Sequence, residues 1–344
     1  MIEFKREHVM NIIFNHVRFH PTIKINYIRV KRKVVSLLII ITVNYCSWAQ
    51  TIEKGPYTVY VLGKGIWRIE DANSSRPAGL KTDQDGKIVD MNNCSDMYLV
   101  AGTKKALLID LSNFIKWDDT AVESLRSIIS ERVGNKEFFI TVTHKHGDHL
   151  GMLPAFRDDP EVKFWIPEAE FRGMDIFPEE RTIFFPENAS LDLGGDYLIT
   201  TTEVPGHTDH GTLFFIKGKD MVFTGDALGS GNGVWLFSYE SFIKYTRSIE
   251  NLIRYLEDPA NEINLEKLVV YGGHYWQRGS LEKLDARYIY DMKTLIDKMK
   301  QGNSEESPMS SQMKYLDTNF KYGTATITWN KKDADRFASA FSDE

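Results

Sequence analysis

Cysteine is almost absent from this chain. Of 344 residues only Cys46 and Cys94 are cysteines. Cys46 falls in a segment read below as a cleaved leader, which leaves Cys94 alone and excludes an intramolecular disulfide. Stability must then come from an apolar core and from any bound metal. Apolar runs of membrane-spanning length are missing too. Val34 to Val43 is apolar except for Ser36, and a spanning helix needs about 20 such residues. Positive charge is scarce in most of the chain. Residues 1–49 hold eight Lys/Arg and two Asp/Glu, so the remainder carries a net charge of −12 against −6 for the whole. An acidic body of this kind argues against nucleic acid as a partner.

Other bulk properties are those of a folded enzyme-sized protein. Hydrophobic residues make up 42% and charged residues 26%, enough to build a sizeable core. The N-terminal stretch "KRKVVSLLIIITVNYCSWAQ" has the three parts of a secretory signal. Lys31, Arg32 and Lys33 form the basic flank, the apolar run follows, and Ser47 and Ala49 are small residues before a cut after Ala49. Export to the periplasm or the extracellular space is expected, with no stable membrane span in the mature form. Tyr45 precedes Cys46 where a lipid-attachment signal wants a small residue, so lipoprotein anchoring is not expected. Residues 1–30 exceed an ordinary leader and point to a true start codon further downstream.

The body is read as 50–300, one catalytic-sized domain, followed by 301–344, a polar linker and a weakly structured cap. Strands are expected in "YTVYVLGKGIWRIE" and "DMYLVAGTKKALLIDLSN", with a polar loop or small hairpin between them. "DDTAVESLRSIISERV" reads as a helix with Val122, Leu125, Ile129 and Val133 on one face. "EFFITVT" is a buried strand, and "LGMLPAF" starts a helix. "YESFIKYTRSIENLIRYLED" is amphipathic, with Phe242, Ile249, Leu252, Ile253 and Leu256 apolar. "LEKLDARYIYDMKTLIDKMKQ" is a second long helix. The pattern suggests two mixed sheets covered by helices, with motif-bearing loops at strand ends, where α/β folds place ligands.

Histidine carries the chemical signal. Six of the nine histidines lie beyond residue 49: His144, His146, His149, His207, His210 and His274. Histidine is the commonest metal ligand among side chains. "THKHGDHLG" sets His144, His146, Asp148 and His149 within six residues. His144 and His146 alternate, so an extended strand end can aim both at one ion, and a turn at Gly147 can aim Asp148 and His149 at another. "VPGHTDHG" adds His207, "FTGDALG" adds Asp226, and "YGGHYW" adds His274. A glycine precedes each of these three and allows close backbone approach.

The ordered pattern H-x-H-x-D-H, His, Asp, His resembles the metallo-β-lactamase fold superfamily, specifically its binuclear hydrolase branch typified by glyoxalase II. The resemblance covers roughly residues 56–300. It implies an α/β (α+β sandwich) fold with four αββα layers. It implies two Zn2+ per chain, with Fe or Mn as alternatives. His144, His146 and His207 would hold the first ion, Asp148, His149 and His274 the second, and Asp226 would bridge. Asp110, at the end of "ALLID", matches the family's early supporting Asp. A bridging hydroxide, oriented by Asp148, would attack the ester, thioester, lactone or phosphodiester of a small substrate. His210 is expected to support rather than ligate. Trp235 and Phe237, in "GSGNGVWLF", are either a substrate wall or core residues. Tyr275 is a possible hydrogen-bond donor to substrate, and Cys94 reads as a buried structural thiol.

Other branches leave marks that differ. True β-lactamases of the family usually place Cys or Ser where this chain has Asp226, and diiron flavoproteins usually place Glu where it has His146. Three alternatives stay open: a β-lactam-hydrolysing enzyme, an iron-dependent oxidoreductase on the same fold, and a non-catalytic exported binding module.

Overall fold

A computed structural model describes residues 51–71, 80–82, 88–91, 95–116, 118–229, 233–275, 284–309 and 315–341. The leader, Cys46, Cys94 and residues 230–232 of "GSGNGVWLF" lie outside the described residues. Thr51–Glu344 forms one compact unit.

The first sheet begins with β1 (Ile52–Lys54), β2 (Tyr57–Gly63) and β3 (Ile66–Asp71). The polar segment that follows contains the expected hairpin, β4 (Leu80–Thr82) against β5 (Ile88–Met91). Next come β6 (Met97–Ala101), β7 (Lys105–Ile109), helix α1 (Ala121–Val133), β8 (Glu137–Thr141) and β9 (Val162–Pro167). A four-residue helix α2 (Glu168–Phe171) precedes β10 (Thr182–Phe185). These strands pair in the order β1-β2-β3-β6-β7-β8-β9-β10. β7, β8 and β9 run parallel, with α1 as the crossover between the first two.

The second sheet is built from β11 (Ser190–Asp192), β12 (Leu198–Glu203), β13 (Thr212–Ile216), β14 (Met221–Gly225), β16 (Val269–Gly272) and β17 (Leu284–Asp285), in that order across the sheet. Between β14 and β16 the chain makes β15 (Val234–Trp235) and helix α3 (Tyr239–Glu257). Ser238 caps α3 by accepting the Ser241 N–H at 3.0 Å. After β17, Asp285 caps helix α4 (Ala286–Lys300) through the Arg287 N–H at 3.0 Å.

The inner strands β6, β7 and β13 read as nearly unbroken apolar runs because they are buried on both faces. Their side chains divide with the period of two that a pleated strand imposes. In β7, Ala106 and Leu108 join the cluster beneath α1, whereas Leu107 and Ile109 point into the space between the sheets. In β13, Phe214 and Ile216 meet them there, while Leu213 and Phe215 face α3 and α4. Three apolar clusters therefore glue four layers together: helix, sheet, sheet, helix. This is the expected αββα sandwich. The amphipathic faces follow suit. α1 buries Leu125, Ile128, Ile129 and Val133, and α3 buries Phe242, Ile249, Leu252 and Leu256.

Two expectations fail. No α-helix follows the histidine cluster; residues 147–149 and 153–155 are single 3-10 turns. Pro154 sits inside the second and has no N–H to extend the ladder. The C-terminal stretch is also not a weakly structured cap. β18 (Glu305–Pro308), β19 (Thr318–Tyr322) and β20 (Ala325–Trp329) pair in a third sheet whose far edge is β15. Helix α5 (Lys331–Ser339) follows, capped by Asn330. Trp329 is fully buried and stacks on Phe242 with centroids 4.0 Å apart. The polar linker hid this, because "ATITW" is a short alternating strand that pairs locally with β19 and whose other partner, β15, lies far away in sequence.

Among the described residues no helix is long and apolar enough to cross a membrane.

Candidate metal centre

Each chemical residue sits just beyond a strand end, at one edge of the sandwich. β8 delivers His144 and His146, and the turn after them delivers Asp148 and His149. The β12–β13 loop carries His207, the end of β14 carries Asp226, and the end of β16 carries His274. The strands stop there because glycine and the polar residues take over. Gly225 has φ +49°, and a Cβ on it would lie 2.2 Å from Thr143 Oγ1. A Cβ on Gly273 would lie 2.3 Å from Asp226 Oδ1. Only glycine lets these two backbones approach so closely.

The side chains fall into two groups, each with ligand atoms within 4.8 Å of one another. The first is His144, His146 and His207; the second is Asp148, His149, Asp226 and His274. In the first, His146 Nδ1 lies 3.1 Å from His144 Nε2 and 3.0 Å from His207 Nε2. In the second, His274 Nε2 lies 3.2 Å from Asp148 Oδ2 and 3.3 Å from Asp226 Oδ2. Asp226 looks toward both groups. Its Oδ1 is 3.5 Å from His149 Nε2 and its Oδ2 is 3.7 Å from His207 Nε2.

Supporting contacts fix which nitrogen faces inward. Asp110 ends β7 in the left-handed region, φ +64°, a conformation that Asp tolerates better than most residues. Its Oδ2 binds His149 Nδ1 at 2.8 Å, and its Oδ1 accepts the Thr143 N–H at 2.7 Å. Thr143 Oγ1 reaches His144 Nδ1 at 3.0 Å. The Trp235 carbonyl accepts His207 Nδ1–H at 2.9 Å. With Nδ1 occupied, Nε2 of His149, His144 and His207 is left for the centre, the arrangement that orients metal-binding histidines.

Electrostatics separate the groups. Burial pushes the His144 imidazole well below its ordinary pKa, lowers His146, and lowers His207 to about 4. These three are neutral bases. Burial also disfavours charge on His149 and His274, but the surrounding carboxylates outweigh it. Asp110, Asp226 and Asp148 hold His149 well above its usual value, and Asp226 raises His274 to about 10. Against the same burial, His274 and His149 hold the Asp226 carboxyl well below the carboxylate range. The second group thus demands positive charge, which protons supply in the protein alone.

The residues fit a bound cation by a further test. His149 Nε2 and Asp226 Oδ1 are both buried, and beyond their mutual 3.5 Å ion pair neither has a hydrogen-bond partner among the described residues. Buried polar atoms are normally paired. Imidazole and carboxylate donors of this kind are what a divalent metal takes.

The remaining expected residues divide. Asp110 lies against His149 Nδ1, on the side away from Asp226. His210 stays out of both groups; its Nδ1 binds Glu203 Oε2 at 2.8 Å, and the side chain is 42% exposed. Phe237 stands against the first group, its ring 5.9 Å from that of His146 and 5.4 Å from that of His207. Trp235 acts through its carbonyl, a contact no sequence pattern announces. The Tyr275 ring lies under Arg68, 4.3 Å from centroid to guanidinium, and packs on the inter-sheet cluster. Glu170 and Thr143 were missed, and single polar residues beside a motif give no signal of their own.

Comparison with known proteins agrees with this geometry. The family model of the metallo-beta-lactamase superfamily matches residues 95–290. The chain belongs to the metallo-beta-lactamase superfamily. The match contains every residue of the two groups. An atrochrysone carboxyl ACP thioesterase of Claviceps purpurea is 30% identical over 142 residues, which is 40% of this chain and 41% of that protein. The metallo-beta-lactamase fold-containing protein ST1585 of Sulfurisphaera tokodaii is 25% identical over 200 residues, 49% of this chain and 70% of that one. The chain spans about half the length of most of the curated relatives it matches. A solved metallo-beta-lactamase from Pontibacter korlensis superposes with a TM-score of 0.50 at 17% identity, over 70% of this chain and 99% of that one. That likeness concerns the fold alone.

Proposed function

We propose that this chain is an exported hydrolase with two metal ions, acting on the ester, thioester, lactone or phosphodiester of a small molecule. The observation that carries the reading is Asp226, whose two oxygens face His149 and His274 of one group and His207 of the other. His144, His146 and His207 would hold one ion; Asp148, His149 and His274 would hold a second; Asp226 would serve both. Divalent ions bound there, with zinc first among them, supply Lewis acidity and lower the pKa of a water so that it can attack near neutral pH.

The chain's own groups do the rest. Three neutral imidazoles would leave the first ion's charge offset by Asp226 alone, while Asp148 and Asp226 would both offset the charge of the second. The lowered pKa of Asp148 keeps it ionised despite its burial, so it can accept a hydrogen bond from the attacking water and orient it. Phe237 gives the first group an apolar wall that limits water access. The relative named as a thioesterase supports an acyl carbonyl as the reacting centre, and the acidic surface supports a partner other than nucleic acid.

Metal analysis together with turnover tests this. Two zinc ions per chain, with hydrolysis of at least one among lactone, thioester, phosphodiester and cephalosporin reporters, is the expected result. Redox-active iron with oxygen consumption would instead establish the oxidoreductase alternative. A metal-loaded chain inert toward all four would leave a binding module. Export rests on Lys31–Lys33, the apolar run and Ala49; N-terminal sequencing of protein recovered from outside the cytoplasm should begin at Gln50.

A further inference from the structure

One buried carboxylate outside both groups touches the loops that carry all three histidines of the first. Glu170 is 4% exposed. Its Oε1 accepts the Lys145 N–H at 3.1 Å, and its Oε2 accepts the His210 N–H at 2.9 Å. Lys145 lies between His144 and His146, and His210 lies three residues after His207. The first loop leaves β8 of one sheet, and the second joins β12 to β13 of the other. Both oxygens of one side chain therefore tie the two sheets together at the edge where the imidazoles converge.

The anchor is itself held firmly. Glu170 sits in α2, directly after β9, and its neighbour Phe171 is buried against Phe177 with ring centroids 5.4 Å apart. Burying a carboxylate is costly unless it is hydrogen-bonded, and here backbone amides meet that need. A parallel tie, from the Thr212 N–H to the Thr143 carbonyl at 2.9 Å, links the same loops on the backbone. The imidazole of His210 plays no part, because it turns to Glu203.

We infer that Glu170 is a positioning residue for the three-histidine group, setting the spacing of His144 and His146 against His207. The inference rests on the two-ion reading above. Glu170→Gln replaces one acceptor oxygen with an NH2 that faces a backbone N–H, so one tie is lost and a donor opposes a donor. Glu170→Asp keeps the charge but retracts it by one methylene. Neither change touches the second group.

The test is a Zn2+ competition titration against a chromophoric chelator. It uses the metal-free full chain as wild type, E170Q, E170D and H207A, with far-UV circular dichroism as the check on folding. H207A identifies the binding equivalent that belongs to the three histidines. At that equivalent, E170Q and E170D should weaken affinity by about tenfold or more, the scale of lost support to a metal ligand, while the other equivalent holds its wild-type value. If E170Q fails to fold, E170D carries the comparison. Wild-type affinity at the H207A-sensitive equivalent in a folded variant overturns the assignment, as does equal weakening of both equivalents. A wild-type chain that binds one ion overturns the two-ion reading alone, since the effect of Glu170 is still read at whichever equivalent H207A abolishes.

Discussion

Asp110 Oδ2 and His149 Nδ1 meet at 2.8 Å in the buried floor of the metal centre, although 39 residues separate them in the chain. The contact fixes the imidazole so that Nε2 faces Asp226. Asp110→Asn should keep the shape but give up the charge that raises the basicity of the ring. Metal affinity at the second group should fall about 10- to 100-fold. Isothermal titration of the metal-free protein measures it, and an unchanged affinity would remove Asp110 from this role.

Asp226→Ala takes away the only carboxylate that faces both groups among the described residues. Turnover should drop by at least about 10²-fold, the cost of losing a principal electrostatic group at a reacting centre. The apolar core does not depend on this side chain, so circular dichroism should stay native. Wild-type rates in this variant would end the two-ion assignment.

Metal uptake should differ in its pH dependence between the groups. His274, with a pKa of about 10, and His149 are protonated at neutral pH in the metal-free protein. Each must lose its proton to bind a cation. Uptake at the second group should release protons, and its apparent affinity should rise as pH rises, by about tenfold per pH unit for each proton displaced. His207, at about 4, and the lowered His144 and His146 are already neutral at pH 7. Uptake at the first group should therefore depend on pH less steeply than uptake at the second. Proton release followed in weakly buffered solution during titration separates the two, and equal release from both would contradict the assignment.

Trp329→Ala probes the C-terminal sheet. The ring is buried, stacked on Phe242, and its Nε1–H donates to the Ser238 carbonyl at 3.2 Å. Truncation should destabilise the chain by about 3–5 kcal/mol, and chemical denaturation measures it. A loss below about 1 kcal/mol would mean that the stretch after residue 300 is peripheral after all.

Much of the site was legible because its chemistry is local in sequence. "THKHGDHLG" announces four donors by composition alone, and the glycines before His207, Asp226 and His274 mark turns into a crowded place. The αββα layering was legible through the family pattern and through strands that read as continuous apolar runs. Three contacts were not: the Trp235 carbonyl on His207, the Glu170 tie, and the pairing of "ATITW" with β15. A carbonyl has no residue identity, a lone Glu looks like any surface Glu, and a two-residue strand such as β15 gives no signal of the remote strand it joins.

The sequence by itself determined the inventory: which donors exist, in what order, and on which strand ends they lie. Donor type follows from side-chain chemistry, and strand ends follow from apolar runs that stop at glycine. Only the tertiary structure decided the charge that each group of donors carries. His144, His146 and His207 become neutral bases because burial strips them of solvent and outweighs the pull of Asp226. His149 and His274 become cations because Asp110, Asp148 and Asp226 converge on them from separate strands of both sheets. That convergence is a property of packing two sheets face to face, and the chain's order of residues does not contain it.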